Sequence, residues 1–321
     1  DIRMAKNKEN VLNFLTDLRN RLTAGGLNEI EKLKKYKSEN PYETESDKIY
    51  SWDYLYYDRV VNETEYQIDE TLIKDYFPFD VTFNGLLDII QETFGLKFEE
   101  QQNPEVWYHD VRLYNVFDAD SSAFVGQFYL DLFPREGKYG HFAAFPLQPH
   151  YFKSDGTEQH PVSAMVCNFP KPTANAPSLL KHSDVVTLFH EFGHLAHGFT
   201  SKAKYARFSG TSVERDFVEM PSQFMENYCY EAEALKRMSK HYKTGEPLPD
   251  DLIEKIIAAK NAGVALFNLR QLFFGFFDME CHTRKGKIDS GELYSRLRKE
   301  ISLVEGNPNT NGAASFGHLM G

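Results

Sequence analysis

Apolar positions near the start of the chain recur with a helical period. Val11, Phe14, Leu15, Leu18 and Leu22 form one stripe, the Gly25-Gly26 pair interrupts it, and Ile30, Leu33 and Tyr36 resume it. The interruption predicts a helical hairpin over 8–36. An aromatic-rich stretch follows (Tyr50, Trp52, Tyr54, Tyr56, Tyr57), then a helix through Leu86, Leu87, Ile90 and Phe94. From Trp107 to Pro134 the period shortens to two, with Phe124, Phe128, Leu130 and Leu132 largely on one face. Residues 118–122 supply a turn, so this stretch predicts an antiparallel hairpin. Segments 137–145 and 162–169 add two candidate strands. The second is either an edge strand able to pair with a peptide backbone or an ordinary inner strand. After a proline-punctuated loop at 170–177 the pattern is helical to about Arg298, and a Gly/Asn/Pro-rich tail covers 306–321. The expected fold is therefore mainly α with a small antiparallel β-sheet, divided into a helical region at 1–104 and a core at 105–321.

Composition narrows the function classes. The chain has 321 residues, 41% hydrophobic, 14% aromatic and 26% charged, which suits a packed globule and not a disordered chain. The longest apolar run, 271–277 with its four phenylalanines, is far short of the ~18–20 residues of a membrane span. A formal net charge of −11 without a long basic run argues against a nucleic-acid groove. Cys167, Cys229 and Cys281 stand far apart with no CxxC, which fits reducing conditions. The expected address is cytoplasmic, with an organelle such as the mitochondrion as the alternative. The chain opens Asp1-Ile2-Arg3 without an initiator Met, as a piece of a longer protein would. It has no G-x-S-x-G, P-loop or G-x-G-x-x-G.

The chemistry concentrates in one helix. Ser183 can cap a segment running through Leu188-Phe189-His190-Glu191-Phe192-Gly193-His194-Leu195-Ala196-His197. Its H-E-x-x-H sequence is expected about 0.03 times by chance in a chain of this composition. Spacing of i, i+4 puts His190 and His194 one turn apart on one face, where both imidazoles can reach one ion. Glu191 points elsewhere, placed to touch a metal-activated water and not the metal itself. Catalytic zinc takes three protein ligands and keeps one position open. A further histidine in the metzincin position would fall at 200, but that residue is Thr200. A carboxylate from a later helix remains, and spacing alone leaves Glu214, Asp216, Glu219 and Glu226 all open.

These motifs resemble a known family. His190-Glu191-Phe192-Gly193-His194-x-x-His197, Phe208-Ser209-Gly210-Thr211 and Val213-Glu214-Arg215-Asp216-Phe217-Val218-Glu219-x-Pro221-Ser222-Gln223 are similar to segments of the thimet oligopeptidase, neurolysin and saccharolysin family of zinc metallopeptidases. So are the stretches from Tyr129 to His141, Leu266 to Gln271 and Phe316 to Leu319, so that the resemblance covers essentially the whole chain. The resemblance implies a zincin-like catalytic region that binds one Zn2+ through His190, His194 and Glu219, with Glu191 as general base. It also implies hydrolysis of internal bonds in short peptides by a monomer. His197 is not a ligand in that pattern, and its expected role is a polar contact in the site wall.

Asp216 and Glu226 are candidate acceptors for the ligand N–H groups, and His318 is a candidate substrate contact on a glycine-rich loop. Pro221 places Glu219 in a first helical turn or beside a kink. Family members are about twice this length, with a helical half expected before Asp1 and a tyrosine-rich segment after Gly321. A second reading follows: a zinc-loaded fragment that binds peptides and does not turn them over. The two readings share the metal site and differ in transition-state donors, so turnover separates them.

Overall fold

In a computed structural model of the chain, the described residues are 4–40, 47–307 and 309–320, and about half of them are helical. In chain order the elements begin with α1 (Lys8–Glu39), α2 (Tyr54–Glu65), α3 (Glu70–Ile73) and α4 (Phe79–Phe94). Strands β1 (Leu96–Glu100), β2 (Arg112–Asp118), β3 (Phe124–Asp131), β4 (Ala143–Gln148), β5 (Tyr151–Phe152), β6 (Glu158–Gln159) and β7 (Val162–Val166) follow. Then come α5 (His182–Phe199), α6 (Glu219–Glu226), α7 (Ala232–Arg237), α8 (Asp250–Ala259), α9 (Val264–Thr283) and α10 (Ser290–Leu297). The chain forms two compact units, Asp1–Ile68 with Ala258–Gly321, and Asp69–Ile257. The division into a helical region at 1–104 and a core at 105–321 stands beside these units as a proposal from the sequence pattern. Among the described residues no helix is long and apolar enough to cross a membrane.

In the first unit, the expected hairpin at 8–36 is instead one helix. α1 runs 32 residues without a break. Gly25 and Gly26 interrupt its apolar stripe because α9 passes there: a Cβ on Gly26 would stand 2.5 Å from Leu269 Cδ1, and one on Gly25 would stand 3.2 Å from Ala265 Cβ. The glycines mark close helix contact and not a turn, and burial offsets their poor helix propensity. Ile30, Leu33, Tyr57, Val61, Leu266 and Val304 form one core cluster beside this contact. Leu269, Phe273, Phe277, Tyr294 and Leu297 form a second. Lys37 and Asp53, both buried, pair at 2.7 Å. The 306–321 tail contains two short 3₁₀ turns, Gly312–Ser315 and Gly317–Leu319, and Pro308 and Gly321 within it lie outside the described residues.

The second unit is built on a five-stranded sheet of order β1-β2-β3-β7-β4. The hairpin expected near 118–122 is present, with β2 antiparallel to β3 from Arg112 opposite Leu130 onward. The sheet is mixed, however, and not purely antiparallel, because β7 pairs parallel to β3. The chain leaves β3, makes β4 at the edge, and returns through β7 in the gap between them, antiparallel to β4. Of the two readings of 162–169, the structure therefore shows the inner strand, with Ser163, Ala164 and Met165 buried. The edge strand on that side of the sheet is β4. An aromatic cluster binds sheet to helices: Phe192 of α5 stands 5.6 Å from Phe128 of β3, 5.7 Å from Phe98 of β1 and 6.3 Å from Phe83 of α4. Such edge-on ring pairs add to the area term of burial. Beneath the sheet end, Asp131 accepts from Arg135, Trp107 and Lys138, two of them charged partners, at 2.7–3.0 Å.

Candidate metal centre

α5 is apolar on the side that faces the sheet. Val185, Leu188, Phe189, Phe192 and Leu195 are each at most 1% exposed. Burying that face fixes the rotation of the helix, so that His190 and His194 emerge together on another face. The helix begins one residue before Ser183: Lys181 precedes it, and the Asp184 carboxylate accepts the Lys181 N–H at 3.0 Å. Ser183 lies inside the first turn, so the cap expected there is supplied by Asp184 reaching back.

α6 crosses α5 at a point of backbone contact. A Cβ on Gly193 would stand 2.6 Å from Ser222 Cα and 2.9 Å from the Pro221 carbonyl oxygen. Only glycine allows that approach, and it carries Glu219, the first residue of α6, up to the two histidines. Pro221 sits in the first turn of α6, where its missing N–H costs no ladder bond. Ser222 Oγ donates to Glu219 Oε2 at 2.8 Å and steers the carboxylate.

The resulting group is tight. Glu219 Oε2 lies 3.2 Å from His190 Nε2 and 3.2 Å from His194 Nε2. The three ligand-type atoms lie within 4.8 Å of one another. Two imidazole nitrogens and a carboxylate oxygen are the donor types that borderline divalent ions take, and tetrahedral ligands at ~2.0–2.1 Å from an ion stand ~3.3 Å apart. The residues therefore fit a metal ion, and the chemistry of the set favours one with nitrogen affinity.

The surroundings tune each group. His190 Nδ1 donates to Glu226 Oε1 at 2.7 Å. Burial works against a charge on His190, but the Glu226 bond and the Glu191 and Glu219 carboxylates outweigh it and raise its pKa. Burial dominates at His194 and lowers its pKa, and among the described residues its buried Nδ1 has no hydrogen-bond partner. Glu191 is 8% exposed, and burial raises its pKa against the pull of His190 and a bond from the Ala144 N–H on β4. A carboxylate held nearly dry beside an open cleft is a competent proton acceptor.

The other residues singled out by sequence fall as follows. Glu226 is brought to the cluster through His190, whereas Asp216 is exposed and, among the described residues, joined by no hydrogen bond to either histidine. Glu214 stands outside the ligand-type group, its carbonyl accepting from Phe217 and Val218. His197 packs edge-on against Phe217 at 6.1 Å, with its Nδ1 buried and without a hydrogen-bond partner among the described residues, and its pKa is lowered by burial. His318 is an exposed residue of the first unit, 6.3 Å from the Phe316 ring. Sequence reasoning missed Gly193 and Ser222. The Gly inside the H-E-x-x-H helix was a usable signal, because a helix-interior glycine needs a packing reason. A cleft of ≈350 Å³ lined by Ala144, His194, Thr211, Val213, Arg215 and Glu219 opens over the cluster.

The chain is also similar to known proteins. The chain is 44% identical to a thimet-like oligopeptidase of Dictyostelium discoideum over 99% of its length and 49% of that protein. It is 41% identical to saccharolysin of Saccharomyces cerevisiae over 99% of its length and 46% of that protein. With oligopeptidase A of Escherichia coli it shares 38% identity over 99% of its length and 47% of that protein. The chain thus spans about half the length of the curated relatives it matches. The family model described as Peptidase family M3 matches residues 1–321. With a cluster of two histidines and a glutamate on α5 and α6 that could hold a metal ion, and a match over its entire length, this chain belongs to Peptidase family M3.

Proposed function

We propose that the chain is the catalytic region of a zinc-dependent metalloendopeptidase that hydrolyses internal bonds of short peptides. The observation that carries this is the meeting of His190 Nε2, His194 Nε2 and Glu219 Oε2 at one point, with the buried carboxylate of Glu191 on the same helix. His190, His194 and Glu219 would hold the ion. Bound zinc supplies Lewis acidity, which activates water and polarises a peptide carbonyl. Glu191 then takes the proton of the attacking water and delivers it to the departing amine, a two-way transfer that a raised carboxyl pKa favours. Glu226 holds the His190 ring by its Nδ1–H, which fixes Nε2 as the free donor.

Substrate chemistry follows from the edge of the sheet. β4 has a strand neighbour on one side only, and Ala144 turns its N–H to Glu191. An extended peptide laid along that edge gains main-chain hydrogen bonds next to the general base. Exposed Met220 and Phe224 on α6, with Phe217 before it, offer apolar surface for its side chains. The three cysteines are unpaired, two of them buried, which suits a reducing setting such as the cytoplasm.

The test is cleavage of a short internally quenched peptide, with products read by mass spectrometry, with and without 1,10-phenanthroline. Internal cleavage that the chelator abolishes and added zinc restores supports the proposal. Cleavage indifferent to chelation contradicts it.

A further inference from the structure

The first unit carries a cavity that plays no part in the chemistry above. It encloses ≈420 Å³, within the range of small-ligand pockets, and is built wholly from that unit. Tyr54 and Leu55 of α2 and Leu266 and Phe267 of α9 supply apolar wall. Arg270 of α9 and Arg298 just beyond α10 line the same space.

Three independent features point to a ligand. First, neither arginine has a carboxylate partner among the described residues, in a chain of net charge −11. Of the acids around the cavity, Glu305 is engaged by Lys299 at 3.2 Å and Lys48 at 3.8 Å, Glu29 accepts from the Ala265 and Leu266 N–H groups at 3.2 and 2.8 Å, and Asp58 accepts from the Asn62 amide at 3.4 Å. Arg270 instead stacks its guanidinium over Phe274 at 4.8 Å to the ring centre, which holds the group by its face and leaves the N–H edge available. Second, α2 begins beside this space, with Tyr54 and Leu55 of its first turn in the wall, and its N-cap residue Asp53 does not cap it with its side chain. Asp53 spends its carboxylate on Lys37 at 2.7 Å and on the Tyr50 N–H at 2.9 Å. The positive end of a helix and two guanidinium groups attract the same charge.

Third, the backbone is irregular where Arg298 is presented. Residues 298–302 form a π-turn, and Leu303, a branched residue, follows at φ +60°. Wide turns and left-handed non-glycine residues cost energy and cluster where a side chain must be aimed. The rim is apolar and open: Leu55 is 75% exposed and Phe267 56%.

We propose that this cavity binds an apolar carboxylate, with the acid group between Arg270 and Arg298 and the hydrocarbon body on Tyr54, Leu55, Leu266 and Phe267. Two sources carry that chemistry: the C-terminal residue of a peptide, or a free aryl or aliphatic acid. Arg270 and Arg298 bind the carboxylate, and the length of the apolar wall selects the body.

The experiment uses the protein at full natural length and isothermal titration with three probes: N-acetyl-phenylalanine, its amide and 3-phenylpropionate. The two acids are expected to bind, and the amide at least tenfold more weakly. Stronger binding of N-acetyl-phenylalanine identifies a peptide C-terminus as the source, and stronger binding of 3-phenylpropionate identifies a free acid. Arg270→Gln alters only an exposed side chain and is expected to weaken both acids about tenfold with an unchanged melting temperature. Arg298→Gln is expected to do the same if it folds. His194→Ala is expected to leave acid binding intact, since it lies outside this cavity. Absence of binding, equal binding of the amide, or loss of acid binding in His194→Ala would overturn the proposal.

Discussion

Two helix crossings in this molecule each depend on a glycine, and they differ in what the glycine meets. At the α1–α9 crossing, a Cβ on Gly26 would press on Leu269 Cδ1, the far end of a flexible side chain. At the α5–α6 crossing, a Cβ on Gly193 would strike Ser222 Cα and the Pro221 carbonyl, which are backbone. The first contact packs two helices and can relax. The second sets the distance between a carboxylate and two imidazoles, and it has no slack. Packing tolerates a rearranged rotamer, whereas a ligand cluster with 3.2 Å spacings does not.

The sharpest way to break this contrast is Gly193→Ala. Relief of a 2.6 Å contact requires α6 to retreat by roughly 1 Å, a displacement that costs on the order of 10²-fold in activity. Bound metal should fall in parallel, as read by elemental analysis of the purified variant. Native metal content and turnover would show that the crossing does not set the site.

Asp131 offers a large effect on stability in place of chemistry. Burial acts to raise its pKa, but bonds from Arg135, Trp107 and Lys138 outweigh it and hold the carboxyl at about 2. A depressed folded pKa contributes stability above the unfolded value near ~3.9, and that stability is lost as pH falls towards about 2. The contribution is about 2 kcal/mol. Asp131→Asn should cost about 3 kcal/mol near neutrality, because it leaves the buried Lys138 ammonium with carbonyl acceptors but no counter-charge, and should flatten the loss of stability between pH 4 and 2. Denaturant titrations across that range check both points.

Glu226→Gln weakens the hold on His190 without removing a ligand. A 10–100-fold loss of metal affinity is expected, with the fold intact, by competition against a chelator. Gly26→Ala is the smallest change. Helix propensity favours alanine by about 1 kcal/mol and displacement of Leu269 opposes it, so the melting temperature should move little. A collapse of this variant would remove the distinction between the two crossings.

Legibility in the sequence followed the range of each signal. The α5 helix and its two histidines were plain, because period and motif lie within one turn of each other. The hairpin of β2 and β3 was equally local. The third member of the cluster was not, since Glu219 reaches the histidines only through a crossing of two helices, and spacing left four acids equivalent. The resemblance to a family singled out Glu219, and the structure supplies the reason it can arrive, which is Gly193. The opposite error arose at Gly25-Gly26: glycine pairs read as a break when the helix that needs them, α9, is more than two hundred residues away. Strand order was likewise hidden. Alternation says which side chains face the core, but not that β7 slips between β3 and β4 to make a parallel pair.

The most direct test of the account compares bound zinc per chain in Glu219→Ala and Glu191→Gln, with turnover of the same quenched peptide in each. Glu219 is assigned as a ligand and Glu191 as the base. Glu219→Ala should lose most of its metal, whereas Glu191→Gln should retain it and still fall in turnover by on the order of 10²–10⁴. Full metal in Glu219→Ala, or metal lost from Glu191→Gln, would contradict the assignment of the two carboxylates on which the proposed mechanism stands.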